Sequence, residues 1–454
     1  MSARVVVHAG RILDEAPLGW GQLRIFVLCS FVGLLDGVDT QSIGIAARPM
    51  AADLSIAIAN FGPLFAATLL GAAIGAVAIG ALADSFGRKR LMIVATVMFG
   101  CFTLLTARAP SMATLLPCRF AAGVGLGGAV PCFLSLGTEY APLRWRQAVT
   151  AALWTGFPLG GMLGALLDTR LLVSYSWRSL FYVGGAVPLI LAACLALWVP
   201  ESVRYLVGKG MHQRVSVILG TLRPRLTLPF DARFTMEAEY ASAVGLRALF
   251  EGAMGRATTL LWIGCALLFG TLAMLVLWTP SLLGQVGLSV PQTAAVIAFY
   301  NLGGLLGTGA SALLVKRFGT GALVPALVLG GLSSGFLGAV RGFSEPAWLL
   351  TLAGLFLGAS AGTAISWAGS LYPAQVRSAG IGGAMGAGRL GQFAGPLAVG
   401  VLVGMHWPVK AIFAAIAVAP MLAAIAMACV GFNVRNLKIR SATYRQREST
   451  LSAP

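Results

Sequence analysis

Residues 25–47 read IFVLCSFVGLLDGVDTQSIGIAA, an apolar stretch long enough to cross a membrane as one helix. Its charged residues, Asp36 and Asp39, lie near its middle. At about 1.5 Å per residue, Asp36 is about 18 Å from Arg24, near the midplane of a bilayer. A carboxylate at that depth must be protonated, paired or exposed to a water-filled cavity. Asp36, Asp39 and Thr40 share one helix face, so we expect a functional site there.

The composition of the whole chain also indicates a membrane protein. Of its 454 residues 58% are hydrophobic and 10% charged, whereas soluble domains have about 25% charged residues. The mean hydropathy is +0.86. About twelve apolar stretches of near-spanning length recur between residues 24 and 431, the first at about 24–47 and the fifth at about 149–168. We therefore predict an all-α integral membrane protein with about twelve transmembrane helices, packed closely through glycine pairs such as Gly71 with Gly75 and Gly123 with Gly127.

The basic residues predict the orientation of the chain. Most of the 32 lysines and arginines fall in alternate loops, which places those loops, both termini and a long central loop in the cytoplasm. The net charge of +17 could also indicate nucleic-acid binding. However, the basic residues are spread over many segments without interleaved aromatic residues. We therefore attribute the charge to membrane topology and expect no nucleic-acid partner.

The sequence shows neither a metal-binding pattern of cysteines nor a cleavable signal peptide. The seven cysteines lie mostly inside apolar stretches and have no metal-ligand spacing, so we interpret them as small buried residues. We expect no metal, no cofactor and no enzymatic activity. No apolar core of a signal peptide precedes Gly21, so we expect the first span itself to direct insertion.

The chain also repeats itself. Residues 84–87 (DSFG) align with residues 316–319 (KRFG), and the charged stretch 200–257 separates two groups of spans. A duplicated six-span unit is typical of alternating-access transporters, with a substrate site near the bilayer midplane, and is rare in receptors and membrane enzymes. The predicted segments are a cytoplasmic N-terminal segment (1–23), a first six-helix half (24–199), a cytoplasmic linker (200–257), a second six-helix half (258–431) and a basic cytoplasmic tail (432–454).

One loop motif points to a family. Residues 80–90 read GALADSFGRKR, which resembles the cytoplasmic loop signature G-x-L-a-D-r-x-G-R-[KR] of the major facilitator superfamily. The resemblance implies a 12-helix transporter fold in which Asp84 closes a cytoplasmic gate by pairing with arginines and helix ends. The alternative is an ordinary basic turn. In the second half Lys316 replaces the expected aspartate, so that copy departs from the pattern.

Further segments resemble gate motifs of the same superfamily. Residues 139–144 read EYAPLR, residues 200–206 read PESVRYL, and residues 372–377 resemble the first of these in the second half. For Glu139 the alternative is a solvated carboxylate at a helix end. The gate residues implied by the resemblance are Gly80, Asp84, Gly87, Arg88, Lys89, Glu139, Arg144, Glu201, Arg204 and Arg377.

Two arginines lie inside predicted spans. Arg119 begins the stretch RFAAGVGLG, which resembles the superfamily motif R-x-x-x-G-x-G-x-G. An arginine inside a span needs an anionic partner, so we interpret Arg119 as part of the proton or substrate pathway. The alternative is that it extends toward the periplasmic interface. Arg389 has no acid in its own span, so its counter-ion must come from another helix or from an anionic substrate.

A motif in the first span resembles that of one particular family within the superfamily. Residues 35–40 read LDGVDT, similar to the D-G-x-D-[TL] signature of the aromatic acid:H+ symporters, which carry benzoate, hydroxybenzoates and hydroxyphenylpropionate. The resemblance implies proton-driven import of a small aromatic carboxylate, with Asp36 and Asp39 as proton carriers. Which of the two carries the proton is open. The implied substrate-binding residues are Arg119, Arg389, Thr40, Trp278, Tyr300 and Trp367, although packing is the alternative role for the aromatic ones.

The resulting hypothesis is a monomeric transporter in a bacterial inner membrane, whose partners are the aromatic carboxylate, protons and the lipid bilayer. One alternative is efflux of drugs or metabolites by H+ antiport. Residues 156–161 (GFPLGG) match the antiporter pattern of the fifth span only in part, which favours import. The other alternative is a membrane sensor that kept the transporter fold but moves no substrate.

Overall fold

Most of the chain is helical in the computed structural model. It divides into two compact units, Met1–Tyr240 and Ala241–Pro454. The predicted linker (200–257) and tail (432–454) lie partly outside the described residues, and the predicted segment boundaries stay predictions. The residues that the structure describes are 6–223, 232–236, 249–340, 342–372 and 376–451.

In its described part, the first unit combines six long helices with a small layer of short elements. Strand β1 pairs in parallel with β2, with Val6 opposite Arg233. In chain order the elements are β1 (Val6–His8), α1 (Ala9–Asp14), α2 (Trp20–Asp53), α3 (Phe61–Phe86), α4 (Arg88–Arg108), α5 (Met112–Glu139), α6 (Arg146–Ser174), α7 (Trp177–Trp198), α8 (Val203–Gly208), α9 (His212–Leu222) and β2 (Arg233–Thr235).

The second unit is also helical in its described part. Its helices repeat the packing pairs of the first unit: α3 packs on α5, α2 on α6 and α4 on α7, and the equivalent pairs eight helices later do the same. The internal repeat in the sequence is therefore also a repeat of helix contacts. The elements are α10 (Gly252–Gln285), α11 (Val290–Phe318), α12 (Leu323–Phe336), α13 (Ser344–Leu371), α14 (Arg377–Gly404) and α15 (Val409–Leu451).

Ten helical segments in the described ranges are long and apolar enough to cross a membrane. They include the six long helices of the first unit. In the second unit α11 and α12 form one such segment, Val290–Ala339, and α14 is not among the ten. The predicted number of about twelve spans therefore stays a prediction.

Helix α2 is longer than the span predicted from hydropathy, which covered residues 24–47. It has 34 residues, a length of about 51 Å. Polar partners hold both of its ends: near the start, Gln22 Nε2 donates to the Tyr140 carbonyl (3.0 Å), and at the end Asp53 accepts a hydrogen bond from Arg178 (2.6 Å). The helix therefore continues beyond the apolar stretch at both ends.

Glycines bring the helix backbones of the first unit into contact. A Cβ at Gly127 of α5 would overlap the carbonyl oxygen of Ala72 of α3, and one at Gly75 would overlap that of Val124. Gly123 and Gly71 make equivalent close approaches, to Thr68 and Phe120. The structure thus confirms that these glycine pairs pack helices, because a larger residue would push the two backbones apart.

The Gly127→Ala substitution is expected to lower the free energy of unfolding by about 1–3 kcal/mol, because the new methyl group overpacks a backbone contact. The matched control is Gly309→Ala in α11, where a Cβ would meet nothing within 4 Å. Helix propensity makes that variant neutral or up to about 1 kcal/mol more stable. Thermal unfolding of the detergent-solubilised proteins measures both. Equal midpoints for the two variants would contradict the packing role.

Candidate functional site

A buried ion pair joins α2 to α5. Arg119 Nη1 donates to Asp39 Oδ1 at 2.9 Å, and Arg119 Nη2 donates to Asp39 Oδ2. The two-point contact matches the planar guanidinium fork to the carboxylate. Arg119 therefore lies inside the helix bundle of this unit, and its charged end does not extend toward an interface.

The surroundings of the pair are apolar. The side chain of Arg119 is 0% exposed and that of Asp39 is 2% exposed. The guanidinium carbon is 5.8 Å from the ring centroid of Phe181, a cation–π contact from α7. Arg119 Nε is buried without a hydrogen-bond partner in the described part of the chain. Each charge is thus stabilised mainly by the other, and removing one leaves the other in an apolar site.

The predicted face of α2 is only partly buried. Asp39 lies inside, whereas Asp36 and Thr40 have intermediate exposure on the same helix. The resemblance to the symporters implied that Asp36 and Asp39 carry protons and that Arg119 binds the substrate. The structure brings Asp39 and Arg119 into direct contact, and the proton-carrying and substrate-binding roles stay predictions.

A third acid, which the sequence analysis missed, lies near this pair. Asp168 of α6 is 1% exposed, its Oδ1 is 3.1 Å from Ser42 Oγ, and it interacts electrostatically with Asp39. Asp168 was the last residue of the predicted span 149–168, where a carboxylate is unremarkable. The observed helix continues to Ser174, so Asp168 is inside it. An aspartate in an apolar stretch was the signal that could have revealed it.

A polar cluster joins the end of α3, the start of α4, the end of α5 and α8. It brings together most of the residues predicted for the cytoplasmic gate. Arg88 Nη2 donates to Asp84 Oδ1 and Arg88 Nη1 donates to Glu139 Oε2, both at 3.1 Å. The backbone N–H of Arg204 donates to Glu139 Oε1 at 2.8 Å, and the backbone N–H of Lys89 donates to Glu201 Oε1 at 2.9 Å.

The turn between α3 and α4 depends on Gly87. Its φ is +102°, a left-handed conformation that favours glycine. A Cβ at this position would also lie 2.5 Å from Glu201 Oε2. The glycine of the loop motif therefore permits both the turn and the close approach of the Glu201 carboxylate.

The cluster also contains two residues that were not among the predicted gate residues, Ser202 and Tyr140. Ser202 Oγ donates to Glu139 Oε2 at 2.7 Å, and Tyr140 Oη donates to the Glu201 carbonyl at 2.6 Å. Burial raises the pKa of Tyr140 well above its usual range, so its hydroxyl stays a donor at physiological pH. Both residues lie inside the quoted motifs EYAPLR and PESVRYL, but the motifs do not show which atoms they contact.

Two further predicted gate residues of the first unit are Gly80 and Arg144. Gly80 packs on α5, where an added Cβ would be 3.3 Å from Pro131 Cγ. Arg144 is exposed on the α5–α6 connection. In the second unit Arg377 Nε donates to the Tyr372 carbonyl at 3.3 Å. Lys316, at the place of the missing acid, is exposed near the end of α11.

The substrate-binding residues predicted in the second unit are largely buried within it. Trp278 is fully buried and its Nε1–H donates to the Pro396 carbonyl at 3.0 Å. Tyr300 and Trp367 are 4% and 6% exposed. The buried Tyr300 hydroxyl has no hydrogen-bond partner among the described residues. Arg389 Nη1 donates to Gln392 Oε1 at 3.2 Å. The substrate-binding roles of these four residues stay predictions.

Together, the repeated helix pairs and the charged pair inside apolar helices define the class of membrane-embedded secondary transporters. Residues 29–351 match the profile of the Major Facilitator Superfamily. The chain belongs to that superfamily and is a multi-pass membrane protein.

Relatives with assigned names extend over nearly the whole chain. The 4-hydroxybenzoate transporter PcaK of Pseudomonas putida is 30% identical over 429 residues, 94% of this chain and 95% of that protein. The 3-(3-hydroxy-phenyl)propionate transporter of Escherichia coli (strain K12) is 32% identical over 401 residues, 88% of this chain and 92% of that protein.

A solved structure shares the fold. It is a bacterial homolog of the human lysosomal transporter Spinster, in an inward-facing and unoccupied conformation. The match has a TM-score of 0.68 at 17% sequence identity and covers 92% of this chain and 98% of that chain. At this identity the similarity concerns the fold alone.

Proposed function

We propose that this protein imports a small aromatic carboxylate together with protons. The observation that carries the proposal is the buried ion pair between Arg119 and Asp39, the second aspartate of the D-G-x-D-T motif. The names of the relatives, a 4-hydroxybenzoate transporter and a 3-(3-hydroxy-phenyl)propionate transporter, support the substrate class. Benzoate, hydroxybenzoates and hydroxyphenylpropionates are the expected cargoes.

The ion pair suggests how substrate and proton are coupled. A substrate carboxylate has the same shape and charge as the carboxylate of Asp39, so it can replace Asp39 on the fork of Arg119. Asp39 then loses its counter-ion in an apolar site and takes up a proton. Binding of the substrate therefore favours binding of the proton, and binding of the proton favours binding of the substrate. Asp36, one turn earlier on α2, is the second proposed proton carrier.

In the first unit, Thr40 of α2 is a further proposed substrate contact, and in the second unit the proposed substrate-binding residues are Arg389, Tyr300, Trp367 and Trp278. Arg389 offers a second cation, and the buried Tyr300 hydroxyl offers a hydrogen bond. Trp367 and Trp278 are proposed ring contacts. For Trp278 the contact requires its surroundings to repack, because its N–H is bonded to Pro396 in the present state.

We further propose the topology and location of the chain. About twelve spans with both termini in the cytoplasm agree with the distribution of basic residues. That orientation places the cluster around Glu139 on the cytoplasmic side, where it acts as part of the gate. The proposed location is the inner membrane of a bacterium, and the proposed active form is a monomer without metal or cofactor.

The test is uptake of radiolabelled 4-hydroxybenzoate and 3-(3-hydroxyphenyl)propionate into cells that express the chain, with and without a protonophore. We expect accumulation above that of control cells, and we expect the protonophore to abolish it. Uptake that persists with the protonophore contradicts proton coupling. Lower accumulation than in control cells indicates efflux, and the absence of any flux in either direction indicates a sensor.

A further inference from the structure

Asp168 is a buried carboxyl group to which the proposed mechanism assigns no task. It lies two turns from the end of α6 and is 1% exposed. Its Oδ2 atom is buried and has no hydrogen-bond partner in the described ranges. An ionised carboxylate normally accepts several hydrogen bonds when it is removed from water. The surroundings of Asp168 therefore suit a neutral carboxyl group.

The hydrogen bonds of Ser42 also favour a neutral carboxyl group at Asp168. Ser42 Oγ is 2.9 Å from the Val38 carbonyl oxygen and 3.1 Å from Asp168 Oδ1. A hydroxyl group has one hydrogen, and a backbone carbonyl can only accept. When Ser42 donates to Val38, as serines in helices often do, the contact with Asp168 needs a hydrogen from the carboxyl group.

The charges around Asp168 do not balance if it is ionised. Asp39 of α2 is its charged neighbour. The charge of Asp39 is matched by Arg119 of α5, and Arg178 of α7 is engaged by Asp53. Asp168 itself forms no ion pair with a described residue. Ionised Asp168 and Asp39 would repel each other, which favours a proton on the one without a cation.

The packing of α2 on α6 leaves little room for water beside Asp168. One turn before it, a Cβ added at Gly164 would lie 2.9 Å from the Cα of Val38. The two helix backbones are therefore almost in contact next to the carboxyl group. At 1% exposure, Asp168 does not contact bulk water in the present state.

We propose that Asp168 is a proton-binding residue of the transport cycle, neutral and hydrogen-bonded to Ser42 in the present state and ionised in a state that exposes it to water. Its carboxyl O–H bond forms with a proton taken from water on one side of the membrane. The bond breaks when the proton is released to water on the other side. Asp39 can then stay ionised on Arg119 until substrate arrives. This inference rests on the proposed proton-coupled transport.

Transport by Asp168→Asn in proteoliposomes tests the role in coupling. We expect this variant to lose accumulation driven by a pH gradient and to keep exchange of labelled for unlabelled 4-hydroxybenzoate, which needs no net proton movement. Asp168→Glu should retain accumulation. The matched control is Asp53→Asn, which removes a carboxylate with 45% exposure paired to Arg178 and should behave as the wild type. Gradient-driven accumulation by Asp168→Asn, or loss of exchange together with accumulation, overturns the proposal.

Infrared spectroscopy tests the neutral carboxyl group without a substrate. At neutral pH the wild-type protein should show a carbonyl stretch of a protonated carboxyl group, absent from Asp168→Asn and retained in Asp53→Asn. An identical spectrum for wild type and Asp168→Asn overturns the proposal. If the wild type accumulates no aromatic acid, the proposed function fails, and the infrared comparison still decides whether Asp168 holds a proton.

Discussion

Asp39→Asn is expected to abolish accumulation of the aromatic acid and to lower the free energy of unfolding by about 3–5 kcal/mol. The substitution keeps the shape of the side chain but leaves the fully buried Arg119 without its counter-ion. The uncompensated guanidinium cannot reach water from inside the helix bundle. Uptake of labelled substrate measures the first effect, and thermal unfolding in detergent measures the second.

A double substitution separates the two effects. Asp39→Asn combined with Arg119→Gln removes both charges, so most of the lost stability should return, because neutral replacements of a buried pair are often tolerated. Accumulation should stay absent, since neither a carboxylate nor a cation remains. Asp53→Asn again serves as the control: its partly exposed pair with Arg178 should contribute less than about 1 kcal/mol. Equal stability of the single and double variants would contradict the inferred role of the pair.

The sequence predicted the depth of Asp39 and Arg119 but did not pair them. Hydropathy and helical spacing place each residue along its own helix. The contact itself depends on how α2 packs on α5, and the two residues are 80 positions apart in the chain. Glycine spacing was more informative, because Gly71, Gly75 and their partners mark a contact surface directly.

Helix ends explain most of what the sequence could not predict. Hydropathy ended the fifth span at residue 168 and thereby hid Asp168, whereas α6 continues to Ser174. The same limitation applies to α2, whose ends are held by Gln22 and Asp53. In the cluster around Glu139, the family motifs include both the charged residues and Ser202, but a serine at a helix start is common in any protein, so the motifs did not show that Ser202 donates to Glu139.

Glu139→Gln is expected to reduce accumulation at least about ten-fold, equivalent to about 1.4 kcal/mol on the limiting step. Both carboxylate oxygens of Glu139 accept: Oε1 from the Arg204 backbone N–H, and Oε2 from Arg88 and Ser202. A glutamine offers one oxygen and one NH2 group. In either orientation its NH2 group faces a donor, so at least one of these links between α4, α5 and α8 must break.

The matched control is Glu251→Gln, which makes the same chemical change at an exposed glutamate before α10. Its uptake and unfolding midpoint should equal those of the wild type. For Glu139→Gln we also expect a lower midpoint, because charge-assisted hydrogen bonds are lost at a largely buried site with 7% exposure. A lower midpoint with normal uptake would assign the cluster to stability alone. Reduced uptake in both variants would mean that the effect does not come from this cluster, since Glu251 lies outside it.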